Sequence, residues 1–303
     1  MRLVEVVRVP DREFVDKVRA FITAEAAISG RRGLSDHLWL DLSNGGRPGF
    51  VGVRVGGADE TTRAYAQISA AAGGAQLEAV GGDPAERLDA AETALDAYAA
   101  DGGGPVTWWV DDADSATAQL AADHDMTPAR RLHEMRRPLP TDEHATITTR
   151  AFRPDDADAW LVVNNRAFHG HPEQGGWTAD VLATRLAEAW FDPDGFRLYE
   201  ADDDAGQSRL AGFCWTKVHP PTAADPRLGE IYVIAVDPDF GRRGLGRELT
   251  LAGLDWLSER GIDTACLYVD AGNAAAFELY RRLGFHVHRT RTAFTGTLPK
   301  APA

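Results

Sequence analysis

The sequence predicts a mixed α/β or α+β sandwich that occurs twice along the chain. Two observations carry this reading. Short β-branched runs alternate with amphipathic stretches, a pattern that layers sheet against helix and does not make a helical bundle. The two halves also share landmarks at one spacing. Trp108-Trp109-Val110-Asp111 answers Leu267-Tyr268-Val269-Asp270, Met126 answers Phe285, and Leu139-Pro140 answers Leu298-Pro299 (269 − 110 = 285 − 126 = 298 − 139 = 159). With 303 residues and 44% hydrophobic content the chain can bury two domain-sized cores. Residues 138–145 carry two prolines with Thr, Asp, Glu and His and no apolar period, as a connector does. The boundary is therefore placed at 140–146, with an N-terminal domain over 1–140 and a C-terminal domain over 146–303.

In the second half the pattern gives a helix over 156–168, another over 179–190, and strands over 197–200 and 210–218. Residues 230–236 are β-branched and apolar, hence a strand, and 237–244 are turn-rich, hence a loop. Leu245, Leu249, Ala252 and Trp256 then fall at helical spacing until Gly261 stops the helix. A strand over 264–270 follows. Asn273 is placed to cap a helix that runs to Arg282, Gly284 to end it, and two strands to close the half.

Composition narrows the function. A formal charge of −14 opposes binding to nucleic acid or to an anionic membrane, both of which present phosphates. No apolar run approaches the roughly 20 residues that span a bilayer, and Arg2, Glu5 and Arg8 interrupt the first ten residues, unlike a secretory segment. The expectation is a cytoplasmic protein, monomeric, with a small-molecule partner. Cys214 and Cys266, the only cysteines, lie inside apolar runs and read as buried thiols. His169 and His171 lack further His or Cys at ligand spacing, so no metal is expected.

The segment Asp237-Pro238-Asp239-Phe240-Gly241-Arg242-Arg243-Gly244-Leu245-Gly246-Arg247 lies between a strand and an amphipathic helix. Glycines let the backbone approach an anion, and exposed amides with the positive end of the helix dipole supply donors and potential. Arg242, Arg243 and Arg247 add charge. The alternative is an ordinary strand-to-helix turn with solvated arginines. No Gly-Lys-Ser/Thr occurs, and Gly244-x-Gly246 lacks the third glycine of the dinucleotide fingerprint, which leaves the pyrophosphate of coenzyme A.

This loop resembles the Gln/Arg-x-x-Gly-x-Gly/Ala loop of the GNAT acetyltransferase superfamily, with Gly241 where the family has Gln or Arg. Asn273-Ala-Ala-Ala-Phe-Glu-Leu-Tyr-Arg-Arg-Leu-Gly-Phe285 is similar to its Asn-x-x-Ala-x-x-x-Tyr-x-x-x-Gly-Phe segment. The resemblance implies two tandem GNAT domains, each a mixed, mostly antiparallel sheet flanked by helices. It implies acetyl-CoA as co-substrate, held by Ile234, Ala235 and Val236, by Gly241 through Arg247, and by Asn273, Ala274, Ala275, Ala276, Phe277 and Glu278.

Amide formation needs a base for the ammonium, a polarised thioester carbonyl and a proton for the thiolate. Glu230, at the start of the strand beside the loop, is the candidate base, its pKa raised by partial burial; the alternative is a surface carboxylate at a strand end. Amides near 234–236 are the candidate oxyanion donors. Tyr280 is the candidate acid, and its alternative is plain core packing.

Within the superfamily, Asn164-Asn165-Arg166-Ala167-Phe168, His171-Pro172-Glu173-Gln174-Gly175-Gly176-Trp177, Trp190-Phe191-Asp192-Pro193-Asp194-Gly195, Trp215-Thr216-Lys217-Val218-His219-Pro220 and Met135-Arg136-Arg137-Pro138-Leu139 resemble the mycothiol synthase family. That resemblance implies acetyl transfer to the cysteinyl amine of a cysteine-glucosamine-inositol acceptor. Its substrate positions fall on Asp36, Glu173, Lys217, Glu230 and Tyr268, and Lys217 is one of three lysines among 32 basic residues. Rival readings are a GNAT enzyme for another amine and a non-catalytic CoA-binding protein.

The first half keeps none of this. Setting Asp83-Pro84 on Asp237-Pro238 (offset 237 − 83 = 154) puts Gln76 opposite Glu230 and Ala90 and Glu92 opposite the loop glycines; the offset of 159 puts Ala121 opposite Tyr280. The family attaches a second, non-reacting acetyl-CoA to its N-terminal copy. Here that half lacks the loop to grip one and reads as a degenerate, non-catalytic support.

Overall fold

The computed structural model describes residues 3–29, 33–57, 61–71, 73–171, 174–241 and 244–299. The first half runs β1 (Leu3–Val7), α1 (Arg12–Ser29), α2 (Asp36–Ser43), β2 (Val51–Gly56), β3 (Thr62–Ala71), β4 (Gly74–Gly81), α3 (Pro84–Ala100), β5 (Gly104–Asp111), α4 (Ser115–Asp123) and β6 (Thr127–Pro138). The second runs β7 (Arg150–Ala151), α5 (Ala157–Ala167), α6 (Ala179–Leu186), β8 (Phe196–Asp202), β9 (Ser208–His219), β10 (Leu228–Val236), α7 (Leu245–Glu259), β11 (Thr264–Asp270), α8 (Ala274–Arg282) and β12 (His286–Leu298). Among the described residues no helix is long and apolar enough to cross a membrane.

Among the described residues twelve strands join one sheet in the order β1-β2-β3-β4-β5-β12-β6-β11-β10-β9-β8-β7, and only β4 with β5 and β10 with β11 pair parallel. The two parallel ladders carry the internal repeat: Gln76 stands opposite Thr107 and Glu230 opposite Cys266. Since 76 + 154 = 230 and 107 + 159 = 266, both sequence offsets are registers of the sheet.

The halves do not close on their own strands. β6 lies between β11 and β12, and β12 lies between β5 and β6. Phe294 and Leu298 of β12 therefore complete the first-half core with Trp108, Leu77 and Leu95, whereas Met135 and Leu139 pack into the second-half core with Leu267 and Phe285. The expectation of two closing strands after α8 gives way to one 13-residue strand, because the neighbouring place is taken by β6.

Helices cover both faces of each half. In the second, an aromatic layer of Trp160, Trp177, Phe196, Phe213 and Trp215 lies under α5 and α6, and leucines of α7 with Tyr280 of α8 fill the other side. α6 ends at Leu186 and not at 190, because Trp190 and Phe191 leave the helix to pack on Trp215 at 5.8 and 5.7 Å.

Candidate active site

Asp237 begins the approach to α7. Buried, its side chain accepts from the Asp239 amide at 2.9 Å and caps a short 3₁₀ turn, Pro238–Phe240. Arg166 of α5 reaches Asp237 at 3.2 Å and Asp239 at 2.8 Å, and Arg209 of β9 also pairs with Asp239. Arg166, quoted only within a motif, and Arg209, passed over in the sequence, hold the start of the loop to α5 and β9.

The chain then turns at Gly244, whose φ of +73° is left-handed and favours glycine. Gly244 is the N-cap of α7 and brings no capping side chain. The first helical bonds run from Arg247 and Glu248 to the Gly244 carbonyl, so Leu245 and Gly246 present amides without helical acceptors. A Cβ at Gly246 would meet only Leu279 at 3.6 Å, so the protein's own packing leaves room there. Arg242 and Arg243 lie outside the described residues. Arg247 pairs with Glu143 of the connector and with Glu248 at 3.2 Å. A cavity of about 460 Å³ opens at this helix end, bounded by Tyr199, Phe240, Gly244 and Leu245.

Beside the helix mouth the sheet opens. β10 pairs with β11 only from Leu228 to Ile231, opposite Thr264 to Leu267. On its other side β10 follows β9 through Val236, with a bulge between Ile231 and Val233 that leaves Tyr232 as the extra residue. The Asp237 amide donates to Ala211 of β9 at 2.9 Å. By strand alternation the Ala235 amide also faces β9, and those of Ile234 and Val236 face the gap.

α8 borders the gap. The Asn273 side chain accepts from the Ala276 amide at 3.1 Å, so it caps the helix. Ala274 and Ala275 are exposed, and Phe277 leans on His133 at 5.6 Å. Glu278 binds Arg281 and Arg282, which lower its pKa to about 2. Tyr280 is buried against Phe285, and burial pushes its hydroxyl well above the ordinary range, so it stays protonated.

Glu230 is buried on β10, one residue before the paired ladder ends. Its Oε2 lies 2.6 Å from Nε2 of His219, a contact that sequence reading missed although His219 lies within a quoted motif. Lys217 stands opposite Glu230 on β9, yet its Nζ lies over the rings of Trp190 (4.6 Å) and Tyr232 (5.6 Å). Tyr268 is 48% exposed. Desolvation, with the charges of Glu134 and Glu230, holds its hydroxyl above its usual pKa. Glu134 and Arg136 come from β6, and Arg136 is bidentate to Asp225 in the β9–β10 loop at 2.5 and 3.0 Å.

The Asn164-Asn165 pair is scaffolding. Asn164 donates to the Gln174 carbonyl at 2.9 Å, and Asn165 bonds both the amide and carbonyl of Trp177, which ties down residues 174–177. Glu173 itself lies outside the described residues. His171 takes the Gln174 amide on its ring at 3.1 Å, and among the described residues no cluster of metal-binding side chains occurs. Asp36 is the first residue of α2, and its side chain lies outside the described part. Next to it the Ser35 amide donates to buried Glu78, which also meets Gln76 and Arg291 of β12.

The equivalent region of the first half is built differently. There Asp83-Pro84 starts the helix at once: α3 begins at Pro84, whereas the offset of 154 would start it at 91 (245 − 154). The seven residues that form the loop before α7 are turns of helix in α3. Asp83 caps that helix, accepting from Ala85 and Glu86 amides at 2.8 and 3.0 Å.

Residues 151–285 match the Acetyltransferase (GNAT) family. The mycothiol acetyltransferase of Acidimicrobium ferrooxidans is 37% identical over 99% of this chain and 100% of its own. A GCN5-related N-acetyltransferase from Sphaerobacter thermophilus superposes with a TM-score of 0.67 at 21% identity over 98% of this chain and 96% of its own. A tandem GNAT protein from the clavulanic acid biosynthesis pathway does so at 0.60 and 13% identity over 100% of both chains. At these identities the two structures speak to the fold.

Proposed function

The chain belongs to the mycothiol acetyltransferases of the GNAT family, and from that premise we propose how its residues carry acetyl from acetyl-CoA to the cysteinyl amine of 1D-myo-inositol 2-(L-cysteinylamino)-2-deoxy-α-D-glucopyranoside, giving mycothiol and CoA. The observation that carries the proposal is the open mouth of α7 at the edge of the β10–β11 gap, with buried Glu230 at the gap's closed end.

The diphosphate takes the Leu245 and Gly246 amides, where the helix dipole adds favourable potential. The pantetheine arm follows the gap as a substitute strand against the Ile234 and Val236 amides, which also receive the thioester oxygen. Glu230 takes a proton from the ammonium, directly or through water. The freed amine attacks the carbonyl and the C–N bond forms; the C–S bond breaks as Tyr280 protonates the departing thiolate, and the second proton shed by the nitrogen returns to the Tyr280 oxygen. Burial keeps the Tyr280 hydroxyl protonated, so it has a proton to donate toward the thiolate, and also makes it a weaker acid than a solvated phenol. Lys217, Tyr268, Glu173 and Asp36 are assigned to the acceptor, whose hydroxyls and ammonium call for such donors and carboxylates. The first half is a non-catalytic support, and no metal takes part.

The test is thiol release from acetyl-CoA with the cysteinyl pseudodisaccharide. Turnover that survives a chelator and is lost in Glu230→Gln, with acetyl-CoA binding kept, supports the scheme. Unchanged turnover in that variant removes Glu230 as base, and turnover only with other amines removes this acceptor.

A further inference from the structure

We propose that His219 is a positioning residue for the acetyl transfer, acting through Glu230, and that its protonation closes down the base at acidic pH. The proposal rests on the reading of Glu230 as base. Its ground is geometry. The Glu230 side chain is 9% exposed and that of His219 is 34% exposed, so the imidazole stands between a buried carboxylate and solvent. A 2.6 Å contact to Oε2 engages one carboxylate oxygen and leaves Oε1 for the acceptor amine.

Among the groups around the pair, His219 makes the direct contact with the Glu230 carboxylate. From β9, Lys217 faces Glu230 but keeps its ammonium over Trp190 and Tyr232. From β11 come Cys266, whose thiol burial holds protonated, and Tyr268, also held protonated. From β6 come Glu134 and Arg136, which form a closed network with Asp225 of the β9–β10 loop. From β12 comes His288, pushed down by burial and influenced by Arg136, Glu134, Arg289 and Asp225.

With neutral imidazole, Nε2–H donates to Oε2 and orients a carboxylate that is free to accept the ammonium proton. When the ring takes a second proton, it becomes a cation held against that carboxylate, stabilises its ionised form and weakens it as a base.

The experiment compares pH profiles of kcat for the full chain, His219→Gln and His219→Ala, with the cysteinyl pseudodisaccharide as acceptor in every case. Gln keeps an N–H donor near the Nε2 position and does not titrate. The expected result is that His219→Gln retains kcat within several-fold at pH 8 and loses less activity than the full chain as the pH is lowered. His219→Ala falls about 10- to 100-fold in kcat, with KM for acetyl-CoA within twofold. Profiles for His219→Gln and the unchanged chain that superimpose after scaling overturn the proposal, as does full activity in His219→Ala. Glu230→Gln is run beside them. If it is inactive while the His219→Gln profile is unchanged, only the positioning role fails; if it is active, the base reading fails and the positioning role with it.

Discussion

Both halves of this chain bring an Asp-Pro step to the end of a β-strand in a parallel ladder, and the two steps lead to opposite structures. In the first half Asp83 folds its carboxylate back onto the amides of Ala85 and Glu86, and α3 starts immediately. In the second, Asp237 turns its carboxylate onto Asp239, is held by Arg166 and Arg209, and the chain travels seven residues to an uncapped Gly244 before α7 begins. A helix N-terminus already occupied by its own carboxylate offers neither free donors nor favourable potential to a second anion. On the proposed reading, a copy of this fold grips a diphosphate only where a loop leads to a helix N-terminus that no side chain caps.

The comparison can be broken most severely at the base. Glu230→Gln gives the second half the residue that the first half carries at Gln76, and kcat is expected to fall about 10²- to 10⁴-fold with acetyl-CoA affinity unchanged. Steady-state thiol release and calorimetry check the two parts. Next in size is Phe294→Ala. This residue belongs to the second half in sequence and to the first half in packing, at 6.0 Å from Trp108. Its loss is expected to cost about 3–5 kcal/mol. Because the halves share strands, tryptophan fluorescence and loss of activity should report one coincident transition in urea.

Smaller effects test the helix mouths directly. Gly244→Asp places a carboxylate at the α7 cap and should weaken acetyl-CoA about tenfold, near 1.4 kcal/mol, by titration calorimetry. The converse change, Asp83→Ala, removes a cap and should cost about 1 kcal/mol in urea unfolding. It should leave the stoichiometry at a single acetyl-CoA per chain, since the first half also lacks the loop; a second equivalent bound would show that Asp83 alone closes that site.

Much of this contrast was legible before any coordinates. The offsets of 154 and 159 are ladder registers, so Gln76 was correctly set against Glu230. The turn at Gly244 was visible as a glycine before an amphipathic stretch. The exchange of β6 and β12 was not, because alternation reports which face of a strand is buried and says nothing of its neighbour. His219 escaped for a related reason. It is 11 residues from Glu230 in sequence, and only the antiparallel return of β9 against β10 brings the two together. The early start of α3 was not legible either, since an Asp-Pro step caps α-helix and 3₁₀ turn alike.

The interleaving of β6 and β12 also orders events during synthesis. β12 follows β5, its partner in the sheet, by more than 170 residues (286 − 111 = 175). While the ribosome makes the second half, the first waits with Trp108 and Leu77 lacking the cover of Phe294 and Leu298. The nascent N-terminal half therefore spends most of translation with an open sheet edge, in need of shelter from other strands.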